Sequence, residues 1–363
     1  MRICICGGGG LGHTCAGVLS NRRDVTVDLL TNRPEKWNHE YVINILDGQH
    51  LIGKLDTITD KPEVVIPKAD IVFLCLPAFR VETEIIRIKP YLRKETIVGA
   101  VFGCTGFFLF AHKHLPSYAK LFALQRVPYI SRVVEYGKEA NLLGYRDKLI
   151  MAVENVDDRE AFRKQVESLF GEKTELADSF YEVTLSNSNP ILHTGRLYTM
   201  WKDWDGTPFD RCSLFYHEWT NEASELEIEM DKEFFALLKK LNVNTKHIET
   251  LLDHYESSDA EQMTAKLRSI KSLSTILSPM KHIAGGWVPD FESRYFTEDF
   301  PFGLTILKTF CLAYGVETPF MDIVLGWYDG LKDTELYDKG IIKGKGVLNI
   351  PELQSYGING IDI

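Results

Sequence analysis

The chain has 363 residues, and 41 Lys and Arg against 51 Asp and Glu leave a formal net charge of −10. At roughly 150 residues per domain that length accommodates two domains or one large one, and 45% hydrophobic with 25% charged residues is a globular composition rather than a disordered one. The acidic balance argues against a general nucleic-acid binder, whose affinity comes from neutralising phosphates, but leaves room for a local basic pocket.

The most apolar run, Ile71 to Phe79, is far shorter than the about 20 residues of a membrane span, so no membrane segment is expected. MRICIC runs straight into four glycines, which leaves no apolar core for a secretory signal. The seven cysteines, at 4, 6, 15, 75, 104, 212 and 311, are odd in number and contain no CxxC pair. Neither a disulfide framework nor a zinc site is indicated, and the chain reads as a reduced, cytoplasmic protein.

In chain order, strands are expected at Ile3–Cys6, Val25–Thr31, Ile71–Leu76 and Thr96–Phe102, then at Leu121–Arg126 and Leu149–Val153. Unbroken apolar character over 71–76 fits a parallel strand buried on both faces. Strands alternating with helical stretches imply a doubly wound parallel sheet, a Rossmann domain over residues 1–180. Beyond Ser179 helical periods dominate. Leu214, Phe215, Trp219 and Leu226 share one face, and Gly303–Tyr314 carries an apolar stripe. Thr318 reads as an N-cap before Pro319. The class is therefore α/β followed by all-α, with an α-helical domain over 181–363. The aromatic content of that second domain is compatible with a homodimer.

Residues 3–12 place Gly7, Gly9 and Gly12 in the G-x-G-x-x-G pattern, after a strand and before a helix expected from Thr14 to Leu19. The first glycine permits the tight turn, the second admits a pyrophosphate and the third allows close packing. Gly7, Gly9, Gly10, Leu11 and Gly12 are thus assigned to a dinucleotide. At the end of the second strand stand Thr31, Asn32 and Arg33, with no acid to meet a ribose 2′-hydroxyl; Asp28 lies inside the strand. Either Arg33 holds a 2′-phosphate, favouring NADP(H) with NAD(H) still possible, or it is a solvated loop residue. Leu76 and Pro77, where the third strand ends, border the cofactor. Cys104 lacks a histidine partner and reads as a buried small residue. His112 and His114 read as a turn without acidic partners, which is poor metal chemistry.

Asn189-Pro190 opens a helix and puts His193 on its first turn, suited to proton transfer, although such a histidine taken alone is more often structural. The segment 290–304 is read as an aromatic-rich loop before a helix, carrying Arg294, Glu298 and Asp299. Asp299 could orient an imidazolium and Arg294 could clamp a carboxylate; a helix cap with a structural ion pair fits too.

The GGGGLGH start, NPILH at 189–193, R-x-x-x-x-D at 294–299 with P-x-G-L behind it, and T-P-x-x-D-x-x-L at 318–325 resemble the octopine/nopaline, or opine, dehydrogenase family. The resemblance covers nearly the whole chain. It implies a Rossmann domain followed by a helical one, with the active site in the cleft between. It implies reductive condensation of an amino acid's amine with an α-keto acid through an imine, using NADH or NADPH. The family's catalytic pair falls on His193 and Asp299 and its substrate-binding arginine on Arg294; Asn189 would help position nicotinamide or substrate. Thr194-Gly195 after the histidine and the unmatched region 200–290 depart from the pattern. Trp201, Trp204, Phe209, Tyr216 and Trp219 in that stretch are pocket candidates or simply core. Two other readings stay open. One is a ketopantoate or 2-hydroxyacid reductase, which would want a lysine donor. The other is an NADP(H)-binding sensor or subunit without turnover.

Overall fold

Ile3, Cys4, Ile5 and Cys6 are fully buried, as a strand covered on both faces requires. In the computed structural model, which describes residues 1–103, 106–332, 337–338 and 341–342, they belong to β1 (Arg2–Cys6). Cys104 lies outside the described residues. The chain divides into two compact units, Met1–Ser186 and Asn187–Ile363.

The first unit is built on eight strands in the order β12-β11-β8-β7-β6-β1-β2-β5. β2 is Thr26–Leu30, β5 Ile58–Thr59, β6 Ile71–Leu74, β7 Ile97–Ala100, β8 Lys120–Leu124, β11 Lys148–Glu154 and β12 Lys173–Leu176. All neighbours run parallel except β8 and β11. The six expected strands are all present. β6 and β7 are shorter than expected, because β6 stops at Leu74 and Pro77 then opens helix α2 (Ala78–Ile88). The order reverses beside β1, and the glycine turn leaves its carboxyl end at that switch point, where open α/β sheets bind ligands.

A second sheet in this unit was not foreseen. β3 (Glu40–Asn44), β4 (His50–Lys54), β9 (Tyr129–Glu135) and β10 (Glu139–Tyr145) form it in the order β4-β3-β10-β9. Its strands come from two segments some ninety residues apart, and β3 meets β10 in parallel register at Val42 and Glu139. It packs on helix α1 (Gly10–Ser20), which is buried along its length from Gly12 to Leu19. The Tyr41 hydroxyl donates to the His13 carbonyl at 2.7 Å, and the Thr14 and Ser131 hydroxyls meet at 2.6 Å. His13 itself is fully buried. Its Nδ1 lies 2.8 Å from the Gly9 carbonyl, and its Nε2 accepts the Gly137 N–H at 2.8 Å. A carbonyl can only accept and an amide N–H only donate, so both partners fix the Nδ1–H tautomer. Burial holds the His13 pKa below its ordinary value. One neutral imidazole thus ties the glycine turn to the tip of the β9–β10 hairpin.

The second unit is mainly helical. Helices α3 (Asn189–Trp201) and α4 (Asn221–Lys240) pack together, and a π-helix, Tyr295–Leu304, lies against α3 and leads directly into α5 (Thr305–Ala313). α6 (Pro319–Lys332) follows, and a small hairpin pairs Met280–Ile283 with Gly286–Pro289. Two expectations need correction. Leu214–Trp219 is not helical: Leu214 forms a bridge with Leu277, and α4 begins only after Thr220, whose hydroxyl accepts the Ala223 N–H. Segment 295–304 is not a loop but the π-helix. Pro301 inside it has no N–H to give, so a regular α-ladder cannot pass through, and the wider helix accommodates it. At the start of α6 the Phe320 and Met321 N–H groups go to Glu233, not Thr318; the Thr318 hydroxyl donates to Asp322.

Replacing His13 by Ala would leave the N–H of buried Gly137 unpaired and empty the space the ring fills against Trp37 and Tyr136, while the Gly9 carbonyl keeps the backbone N–H of residue 13. We expect the variant to lose on the order of 2–4 kcal/mol in urea unfolding. A loss under about 0.5 kcal/mol would show that the link carries no structural weight.

Candidate active site

The glycine turn forms the floor of a cleft of about 390 Å³, lined by Gly7, Gly8, Gly9, Leu30, Thr31, Asn32, Arg33, Leu76, Arg80, Glu84, Arg87, Val133 and Tyr136. Gly7 has φ +120°, and a Cβ there would stand 2.5 Å from the Cys75 carbonyl. A Cβ on Gly12 would overlap the Gly7 carbonyl, so the turn and the helix behind it close up only with glycine at both places. A Cβ on Gly9 would meet nothing, because the backbone there faces the open cleft. Gly10 and Leu11 form the first turn of α1, which has no side-chain cap and no acidic residue. Its free N–H groups therefore face an anion without competition. This cradle fits a pyrophosphate. Pro77 caps the N-terminus of α2 beside Leu76.

At the far end of the cleft, buried Thr31 is 3.1 Å from the Tyr136 hydroxyl. The exposed Arg33 guanidinium lies 4.1 Å from the centre of the Tyr136 ring, a cation–π contact. Asp28 is withdrawn from the cleft: it is fully buried and accepts from Arg2 at 2.9 Å. Two arginines and Tyr136 were missed in the sequence. Arg80 and Arg87 enter from α2, Arg87 paired with Glu84 at 3.1 Å, and Tyr136 arrives on the unforeseen second sheet. His112 and His114 are likewise not in a turn. They lie on the helix Phe107–His114 and face acids, His112 at 2.5 Å from Glu154 and His114 at 2.7 Å from Glu82. No cluster of three or more metal-ligating residues occurs among the described residues.

In the second unit His193 lies on the first turns of α3, and its Nδ1 is 2.8 Å from Asp299 Oδ2. An ionised carboxylate only accepts, so the proton sits on Nδ1 and leaves a lone pair on Nε2. Phe215 packs edge-on against the ring at 5.6 Å and Tyr295 covers it at 4.7 Å. The two segments meet because Gly303 packs on Pro190, where a Cβ would come within 2.6 Å of the proline ring. Asn189 is the first residue of α3, half-buried and one turn ahead of His193. Arg294 immediately precedes the π-helix; its guanidinium is largely exposed and donates to Glu298, Nε at 2.7 Å.

Three side chains around His193 have places that the sequence reading did not assign them. The Tyr216 hydroxyl stands 2.9 Å from Nε2, so the pocket candidate is a direct partner of the histidine. Arg196, one turn on from His193, donates to the Phe215 and Glu218 carbonyls and holds the Tyr216 segment against α3. Burial brings its pKa down to about 10. Glu227 is fully buried, with both carboxyl oxygens unbonded, and its stem fills the space left by Gly195. Burial pushes its pKa well up, so it is held as the neutral acid. Of the other pocket candidates, Trp201 and Trp219 are core and Phe209 is 38% exposed.

A mostly parallel sheet with an anion-binding glycine turn, followed by a helical unit with a hydrogen-bonded His–Asp pair, defines a nicotinamide-dependent oxidoreductase of two-domain type. Residues 176–331 match the model of the NAD/NADP octopine/nopaline dehydrogenase alpha-helical domain, and residues 3–101 that of ketopantoate reductase PanE/ApbA. The chain is 28% identical to tauropine dehydrogenase of Arabella iricolor, covering 99% of this chain and 98% of that one. It is 27% identical to opine dehydrogenase of Haliotis discus hannai, covering 99% and 97%. A solved structure of octopine dehydrogenase in complex with NADH and agmatine matches with a TM-score of 0.87 at 25% identity, over 98% of this chain and 96% of that one. Along nearly its whole length the chain is thus similar to opine dehydrogenases.

Glu227 generates a stability prediction. Its folded pKa is raised, so the folded state keeps a proton that the unfolded chain releases above the usual glutamate value. Stability is full below that value and falls as pH rises from there toward the folded pKa. Glu227→Gln should therefore gain melting temperature relative to the parent as pH goes from about 5 to 8. Parallel curves for the two proteins would refute the buried neutral acid.

Proposed function

We propose that the protein is an opine-type dehydrogenase, which condenses the amine of an amino acid with an α-keto acid and reduces the imine with NAD(P)H, or runs in reverse. The observation that carries this reading is the 2.8 Å pair of His193 and Asp299 in a helical domain of the matching family. The glycine turn with Leu76 and Pro77 would hold the cofactor, which supplies the hydride. His193 moves the proton that condensation and reduction require, and Asp299 keeps its tautomer and balances the imidazolium. Arg294 exchanges Glu298 for a substrate carboxylate, and Asn189 lines the approach. A ketopantoate reductase reading finds support only in the nucleotide half, where that model matches residues 3–101.

NADP(H) is the favoured cofactor. Arg33, steadied on Tyr136, and Arg80 line the cleft as cations suited to a 2′-phosphate, with Arg87 beside them paired to Glu84, and no acid at the end of β2 competes for a 2′-hydroxyl. Self-association gains little support from the aromatic residues of the second unit, because Phe215, Trp219, Phe296, Phe300 and Phe310 are buried. Six free cysteines among the described residues suit a reducing compartment such as the cytoplasm. No helix among the described residues is long and apolar enough to cross a membrane.

Oxidation of NADPH in the presence of α-keto acids and a panel of amino acids tests the activity. His193→Ala should lower kcat at least about 100-fold while cofactor affinity stays near the parent value. Retained turnover would sink the role of His193. Arg33→Ala should raise the KM for NADPH about tenfold or more and leave NADH nearly unchanged. An equal effect on both cofactors would remove the 2′-phosphate assignment.

A further inference from the structure

Glu84 lines the cofactor cleft and takes no part in the proton chemistry. Its side chain is only 9% exposed, yet among the described residues a single group donates to it, Nη1 of Arg87, at 3.2 and 3.1 Å from the two oxygens. A carboxylate has lone pairs for more than one donor, and burying them unused costs free energy. Arg87 is fixed in turn, since its Nη2 donates to the carbonyl of Asp60, directly after β5. These bonds use only part of the guanidinium's N–H donors. An acceptor and a donor thus stand side by side in the wall of the cleft.

We propose that Glu84 and Arg87 recognise the edge of the cofactor's adenine, Glu84 accepting from the exocyclic amine and Arg87 donating to a ring nitrogen beside it. The inference rests on the reading of this cleft as the dinucleotide site. In the sheet order β6 and β5 stand on either side of β1 and β2. Helix α2 follows β6, and Arg87 on it reaches Asp60, so the pair belongs to the part of the cleft that β1 and β2 feed. Those two strands end in the glycine turn and in Thr31–Arg33, which line the same cleft. With the pyrophosphate on the turn and the ribose at the end of β2, the base enters here, because it hangs on the carbon next to the one that bears the 2′-group. Leu30, Leu76 and Val133 supply apolar lining for its faces.

The chemistry of the pair selects the base. Adenine presents an amine donor beside an accepting ring nitrogen, and an acceptor held next to a donor is its complement. Hypoxanthine carries a carbonyl oxygen where adenine carries the amine, so against Glu84 two acceptors would meet with no proton between them. A carboxylate that served the ribose hydroxyls would stand at the end of β2, where Thr31, Asn32 and Arg33 include none. Glu84 comes instead from α2, with an arginine at its side.

The test is equilibrium binding of NADPH and of its hypoxanthine analogue, which differ only at that edge of the base, followed by nicotinamide fluorescence. NADH and its hypoxanthine analogue form a second pair, so the outcome does not hang on the 2′-phosphate. The unmodified protein should prefer adenine at least about tenfold in Kd in whichever pair binds. In Glu84→Gln the side-chain amide can both accept and donate, and the preference should shrink to within about threefold. Arg87→Gln should reduce it in the same direction and serves if the first variant does not fold. Equal affinity for the two bases in the unmodified protein overturns the proposal without any variant. So does a folded Glu84→Gln protein that keeps the full preference. If none of the four dinucleotides binds, the reading of the cleft falls and the proposal with it; if they bind without regard to the base, only the adenine assignment falls.

Discussion

The hydrogen bond between His193 and Asp299 joins positions 106 apart, and it closes only because the π-helix lies directly on the start of α3. Gly303 permits that approach by presenting no side chain to Pro190. Pro301 contributes from within, since its missing N–H excludes an ordinary helical ladder, and the wider turn carries Asp299 toward the imidazole. The short motifs around these residues are therefore packing devices as much as chemical ones. The histidine's tautomer, and with it the Nε2 lone pair that meets the Tyr216 hydroxyl, depends on this one contact.

The cofactor half solves a different problem, the binding of an anion by an acidic protein. The turn does so with backbone N–H groups and an uncapped helix end, which need no charged side chain. Positive charge is added by Arg33, Arg80 and Arg87 in the cleft lining, Arg87 paired with Glu84, against a formal net charge of −10. His13 serves both ends. By bonding the turn and the β9–β10 hairpin together it sets Tyr136 beside Arg33 and Thr31. A histidine at the close of the glycine motif is thus structural, whereas His193, with a carboxylate on one nitrogen and a phenol on the other, is the one the proposed function uses for proton transfer. Their partners make the difference, not their residue type.

How far each feature could be read in advance follows the range of the interaction behind it. The parallel strands were legible because apolar runs such as Ile71–Leu74 report local burial. The second sheet was not, because β3 and β10 are half-exposed strands whose partner lies in a distant segment. The π-helix was mistaken for a loop because aromatic density and a proline break every familiar period. Arg294 was assigned to substrate from its charge and from the family resemblance; that Glu298, one helical turn away, is its partner in the structure was not foreseen. Arg80 and Arg87 looked like ordinary charges on an amphipathic helix, and only the fold turned them toward the cleft.

The sequence by itself determined the class of the protein. Glycine spacing, the NPILH and RYFTED segments and the change from strand to helix periods are local facts, and a nucleotide-binding turn and a His–Asp pair are built from them. Tertiary structure decided how those residues work. Which ring nitrogen of His193 carries the proton, that Tyr216 occupies the other, and that Glu227 is stored as a neutral acid are consequences of burial and of partners far along the chain. Hydrogen bonding and desolvation act over a few ångströms in space, and sequence distance says little about that.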